Sequence, residues 1–96
     1  MAEAEVEVRN PSGLHARPAA TFVRAAAALP IDVRVTNLSR DPDKSVSARS
    51  VLGVMGLGVA RGHRIRLGAD GPEGEAAVAT LAELVASGLG EDVGGV

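Results

Sequence analysis

The chain of 96 residues has no cysteine, no tryptophan and no tyrosine, and Phe22 is its single aromatic side chain. Without cysteine there is no disulfide framework and no thiolate chemistry. With one ring there is no aromatic platform on which the bases of a single-stranded nucleic acid would stack. The core has to be made from Val, Leu, Ile, Ala and that ring. A charge excess is missing too: ten Lys and Arg stand against twelve Asp and Glu, for a formal net charge of −2. Such a balance carries no electrostatic footprint for nucleic acid or an anionic membrane. No apolar run approaches the ~20 residues of a membrane span. The acidic start, Met1-Ala2-Glu3-Ala4-Glu5, has no apolar stretch behind it, so no signal peptide is expected. These absences point to a soluble cytoplasmic protein with one core and no membrane insertion. One domain is expected over residues 1–90, followed by a flexible, glycine-rich tail over residues 91–96. There is no internal repeat and no linker.

What is present is mostly alternation. Ala4, Val6 and Val8 alternate with Glu3, Glu5, Glu7 and Arg9, which is the pattern of a strand with one dry and one charged face. Asn10 to Gly13 breaks it. From Ala16 to Leu29 the period becomes helical, with Ala19, Phe22, Val23, Ala26 and Leu29 on a core-facing stripe. Arg17 and Arg24, seven apart, share another face with Ala20 and Ala27. That second stripe is basic and low in relief, so a partner can approach closely. Pro30 ends the helix. Ile31, Val33 and Val35 alternate with Asp32, Arg34 and Thr36 in a second strand. Asn37 to Lys44 forms a polar loop around Asp41-Pro42-Asp43, and Ser45 to Ala48 a short third strand. Ser50 is placed to cap a short, glycine-interrupted helix. A fourth strand follows with Ile65, Leu67 and Ala69 inward and Arg64 and Arg66 outward. The last helix is expected over about Glu73 to Ser87, with Val78, Leu81, Leu84, Val85 and Leu89 as its stripe and Gly88 as its stop. The order is βαββαβα, an α+β arrangement. One charged face per strand means an antiparallel sheet with helices on one side and water on the other.

The stretch with chemistry in it is Gly13-Leu14-His15-Ala16-Arg17-Pro18. It sets a histidine where a helix begins. The first turn has N–H groups with no intrahelical partner, and the helix dipole adds positive charge there. Pro18 is tolerated because a first-turn residue needs no N–H. Imidazole is a nucleophile at neutral pH. A phosphoryl group on His15 would sit over the N–H groups of Ala16 and Arg17, within reach of the Arg17 guanidinium. No carboxylate pair, metal-ligand cluster or phosphate-binding loop accompanies it, so neither a metal nor a cofactor is expected. A lone histidine without a second acid or base suits a carrier whose reaction is completed by other proteins. On position alone, His15 is equally compatible with an ordinary exposed loop histidine. His63, behind Gly62 at the start of a strand, has no neighbouring anion site and reads as structural.

The segment Gly13-Leu14-His15-Ala16-Arg17-Pro18-Ala19-Ala20 resembles the phosphorylation-site motif of the HPr family, the phosphocarriers of the bacterial phosphoenolpyruvate-dependent sugar phosphotransferase system. Ser47 to Val59 resembles the second signature of that family. The resemblance implies an open-faced sandwich with sheet order 1-4-2-3, covered on one face by three helices. It also implies that enzyme I phosphorylates His15 on Nδ1 and that the group passes to an enzyme IIA domain in sugar uptake. In that relay Arg17 assists by pairing with phosphoryl oxygens. Such a protein is a component of a relay and not an enzyme in its own right.

The family also phosphorylates a serine at the start of the short helix. Lys44-Ser45 and Arg49-Ser50 both offer a serine behind a basic residue. Only Ser50 is followed by Gly53, Met55 and Leu57 at the third, fifth and seventh positions. Ser50 is therefore the regulatory candidate for a serine kinase and phosphorylase, and equally a plain helix cap. Val51, Leu52 and Met55 are expected, by resemblance, to be exposed as an apolar docking centre beside Ala20, Arg24 and Ala27. Arg17 and Arg24 around it suit an acidic partner surface. A monomer is expected. The resemblance leaves open a nitrogen-type regulatory branch and a dihydroxyacetone-phosphorylating branch. Outside that class stands an unphosphorylated small-ligand-binding α/β sandwich, which would have no use for His15 beside Arg17.

Overall fold

The computed structural model describes residues 1–91. Four strands and three helices alternate: β1 (Ala2–Glu7), α1 (Ala16–Ala27), β2 (Arg34–Asn37), β3 (Ser45–Ser47), α2 (Val51–Gly56), β4 (Arg64–Ala69) and α3 (Gly74–Ala86). The strands form one sheet in the order β1-β4-β2-β3, with every neighbouring pair antiparallel. The topology is therefore the open-faced arrangement expected, with β4 and β2 at the centre.

The alternation explains the register. Ala2, Ala4 and Val6 pair with Ala69, Leu67 and Ile65, so the apolar residues of β1 and β4 share the inner face. Glu5 lies opposite Arg66 and Glu7 opposite Arg64 on the outer face. One ion pair forms there, Arg64 Nε to Glu5 Oε1 at 3.8 Å, between half-exposed side chains. Such a surface pair adds little to stability. Thr36 departs from the outward, solvated position its place in the alternation predicts. It is buried because it lies in a central strand between Arg66 on β4 and Ser45 on β3.

The helices follow from the apolar stripes. In α1, Ala19, Phe22 and Ala26 are buried, and the alanine-rich sequence has high intrinsic helicity. The helix ends two residues before Leu29. Ala28 caps it, donating its N–H to Ala25 O and Arg24 O, and Arg24 places a cation in the last turn, as the dipole favours. In α3, Ala77, Val78, Leu81 and Val85 are buried, while Leu84 is only half-buried. α3 lies on β1 and β4, and α1 packs against both α2 and α3. The core runs from Val8 and Leu14 through Phe22 to Ile65, Leu67 and Leu81.

Past α3 the chain stays on the body of the domain. Leu89 is buried at 2% exposure. Glu91, the first residue of the stretch expected to be flexible, accepts hydrogen bonds from Asn10 and Ser12. Residues 92–96 of that stretch lie outside the described residues. Among the described residues, no helix is long and apolar enough to cross a membrane.

Candidate functional site

The turn before α1 is held from two sides. Gly13 N–H donates to Asn10 O at 3.2 Å, and Leu14 N–H donates to Val59 O at 3.1 Å. Leu14 is fully buried and anchors the turn in the core. Gly13 has φ +59, and a β-carbon there would lie 2.2 Å from Val59 O. Only glycine meets both the dihedral and the close approach. Asn10 is buried, and its Nδ2 donates to Gly13 O at 2.9 Å and to Glu91 Oε1 at 3.1 Å. Both partners are acceptors, which fixes the amide orientation. It leaves Asn10 Oδ1 without a partner among the described residues.

His15 occupies the N-cap of α1 with extended backbone, φ −129° and ψ 160°, and its side chain makes no capping bond. Its carbonyl accepts the Ala19 N–H at 3.4 Å. His15 as a whole is half-buried. Ala16 follows with φ +50, one of two non-glycine residues with positive φ among the described residues, the other being Leu89 at +54. An L-residue there costs roughly 1–2 kcal/mol. Among the described residues the N–H groups of Ala16 and Arg17 make no hydrogen bond, so two donors are left open at the dipole-positive end of a helix of 12 residues. Arg17 is exposed and, among the described residues, forms no ion pair. It lines a cleft of about 360 Å³ together with Ser12, Ala16, Pro18 and Glu91. The Glu91 carboxyl is held below the usual glutamate range, first by the Ser12 N–H, then by the Asn10 and Ser12 side chains, with Arg17 adding a smaller effect.

The second group of residues surrounds α2. Ser50 is its N-cap, and Ser50 Oγ accepts the Gly53 N–H at 3.0 Å. Val54 packs inward. Val51, Leu52 and Met55 point out, with Leu52 81% exposed. Ala20, Arg24 and Ala27 are exposed on α1, which adjoins α2. Arg49, just ahead of α2, donates from Nη2 to Leu29 O, just past the end of α1, at 2.7 Å. The loop expected over Asn37–Lys44 begins after Asn37, which ends β2 in its ladder with β4, and it reaches the far end of α2, where the Arg40 guanidinium occupies the space a β-carbon on Gly58 would need.

His63 has a different environment. Its Nδ1 accepts the Ala60 N–H at 3.1 Å and lies 3.1 Å from Asn37 Nδ2, which also donates to Leu57 O. Two donors converge on Nδ1, so the ring is the Nε2–H tautomer and serves as a brace between β2, β4 and the end of α2. Among the described residues no group of His, Asp and Glu is arranged to hold a metal ion.

The chain matches the family described as "PTS HPr component phosphorylation site" over residues 2–87. The chain belongs to the HPr family. The full-length relatives of that family are named as phosphocarriers. The chain is 47% identical over 91 residues to "Phosphocarrier protein HPr" of Streptomyces coelicolor, covering 95% of each chain. It is 39% identical over 89 residues to "Multiphosphoryl transfer protein" of Haemophilus influenzae. There it covers 93% of this chain and spans only 18% of that relative. Among solved structures, HPr-C-His from Thermoanaerobacter tengcongensis superposes with a TM-score of 0.86 at 39% identity. The superposition covers 96% of this chain and 99% of the other.

One site feature had no trace in the motif reading: Glu91, which joins the far end of the chain to the turn before His15. Its only forerunner is Leu89, whose apolar side chain predicts that the backbone stays on the core past Gly88.

Proposed function

We propose that His15 is the phosphoryl acceptor, taking the group on Nδ1 from phospho-enzyme I and passing it to a histidine of an enzyme IIA domain in the cytoplasm. In the first step the Nδ1 lone pair bonds to phosphorus as the bond between phosphorus and the donor nitrogen breaks. The second step repeats this toward the acceptor, and His15 returns to its starting state. The observation that carries the reading is the N-cap histidine with an unengaged side chain beside the open N–H groups of Ala16 and Arg17. Those donors and the Arg17 guanidinium complement a dianionic group. Val51, Leu52 and Met55, bordered by Ala20, Arg24 and Ala27, form the docking face. An apolar centre ringed by arginine favours an acidic partner, fast encounter and weak binding. Ser50 is the target of a serine kinase. A phosphate there adds nearly two negative charges beside the docking face.

The test is phosphoenolpyruvate-dependent labelling with enzyme I and mapping of the site. One acid-labile, base-stable phosphate at His15 is expected, absent in His15→Ala and retained in His63→Ala. Arg17→Ala slows transfer while the protein remains folded. Label that persists in His15→Ala rejects the assignment.

A further inference from the structure

The end of the chain is fastened to the turn that presents His15. Glu91 Oε1 accepts the Ser12 N–H at 2.9 Å and Asn10 Nδ2 at 3.1 Å, and Glu91 Oε2 accepts the Ser12 hydroxyl at 2.8 Å. These bonds join positions 79 and 81 residues apart in sequence. The carboxylate is itself held in place. Leu89 is buried two residues earlier, and Glu91 N–H donates to Gly88 O at 2.9 Å. On the other side, Asn10 Nδ2 is shared with Gly13 O, so the carboxylate and the turn meet at one buried amide. Two residues separate Ser12 from His15, and neither is free to move. Gly13 is pressed against Val59 O, and Leu14 is in the core. A shift at Ser12 must therefore be carried into the His15 backbone.

We propose that Glu91 is a positioning residue for phosphoryl transfer: its carboxylate clamps the Asn10–Gly13 turn and so fixes the place at which His15 meets the incoming phosphoryl group. The proposal rests on His15 being the acceptor. The clamp leaves the Ala16 and Arg17 N–H groups open, since its donors are Ser12 and Asn10. It thus orders the site without filling it. Three bonds to a carboxylate hold a turn more firmly than neutral bonds would, and transfer rates are sensitive to displacement of the reacting atom.

The experiment compares wild type with Glu91→Ala, Glu91→Gln, Ser12→Ala and the Ser12→Ala/Glu91→Ala double variant. kcat/KM for phosphorylation by phospho-enzyme I is measured at a temperature where circular dichroism shows every variant folded. Glutamine can keep all three contacts, with Oε1 accepting from Asn10 and Ser12 N–H and the amide donating to the Ser12 hydroxyl. Glu91→Gln is expected to stay within about twofold of wild type. Glu91→Ala is expected to lose about tenfold. Ser12→Ala removes only the hydroxyl bond and should lose less, with the double variant no worse than Glu91→Ala, because that bond is already gone when the carboxylate is removed. Wild-type rates in Glu91→Ala, or losses that multiply in the double variant, overturn the proposal. Hydrogen exchange of the Ser12 amide provides a readout that needs no partner. It should speed up strongly in Glu91→Ala and much less in Glu91→Gln; unchanged exchange in Glu91→Ala also overturns the clamp. Absence of label on wild-type His15 would instead sink the acceptor assignment, leaving the exchange result to decide the clamp alone.

Discussion

Replacing Gly13 by alanine tests the geometry on which the presentation of His15 depends. The added β-carbon would lie 2.2 Å from Val59 O and 3.0 Å from Ala60 Cα, both backbone atoms that cannot rotate away. An ordinary carbon–oxygen contact is about 3.3 Å, so the turn has to retreat by about 1 Å. The retreat strains the Leu14 N–H bond to the same Val59 O, now 3.1 Å long. Forcing an L-residue into positive φ costs about 1 kcal/mol, and the clash with its strained bond costs about 2 kcal/mol. The total of about 3 kcal/mol corresponds to a fall in Tm of about 12–24 °C for a domain of this size. Urea unfolding of three variants separates the contributions. Gly62 has φ +92 with no atom within 4 Å of its would-be β-carbon, so Gly62→Ala should cost only the backbone part, about 1 kcal/mol. Gly56 sits in α2 with open space around it, so Gly56→Ala should gain about 0.5 kcal/mol. Phosphorylation of Gly13→Ala, measured while folded, should drop by up to about 100-fold as His15 moves. A Gly13→Ala protein no less stable than Gly62→Ala would refute the close approach.

Other substitutions divide stability from docking. Ser50→Ala should lose about 1 kcal/mol by urea unfolding, because the Gly53 N–H loses its cap, whereas Ser50→Asp retains the cap. An equal loss in both variants would show that the hydroxyl does more than cap. Leu52→Ala should change stability by no more than about 0.5 kcal/mol, since the side chain is 81% exposed. Its affinity for enzyme I in calorimetry should fall by about tenfold if it sits at the centre of the docking face. The Glu91 carboxyl is held below its ordinary range in the folded state, so its contribution is complete above the unfolded value and is lost as pH falls through the folded value. Arg17 is the charged group that faces it. A Tm titration toward acid should therefore show a Glu91 component in wild type that is missing in Glu91→Gln; superimposable acid limbs would contradict the bonded carboxylate.

Alternation in the sequence was enough to predict β1 and β4, because each has one face in the core and one in water. It was weaker for β2. Ile31 and Val33 continue the pattern, yet the ladder with β4 starts at Arg34. Thr36 reads as an outward residue and is buried by its neighbours across the sheet. A residue's own chain cannot report which strands flank it. The sheet order likewise came through family resemblance, since alternation does not say that β4 lies between β1 and β2. At the site, the helix start around His15 was legible because Gly13, Pro18 and the apolar stripe of α1 are all local. The clamp by Glu91 was not, because its partners sit at the opposite end of the chain and a lone glutamate among glycines carries no periodicity. The Asn37 contact of His63 is hidden too, because its partner lies 26 residues away in sequence.

Phe22 is fully buried and has no aromatic companion. The protein is therefore almost dark in the near ultraviolet, and it emits no tryptophan or tyrosine fluorescence. A single tryptophan introduced at Leu52, already open to solvent, would be the chain's only bright reporter. Any change in its emission on mixing with a non-fluorescent partner would come from that one spot on α2.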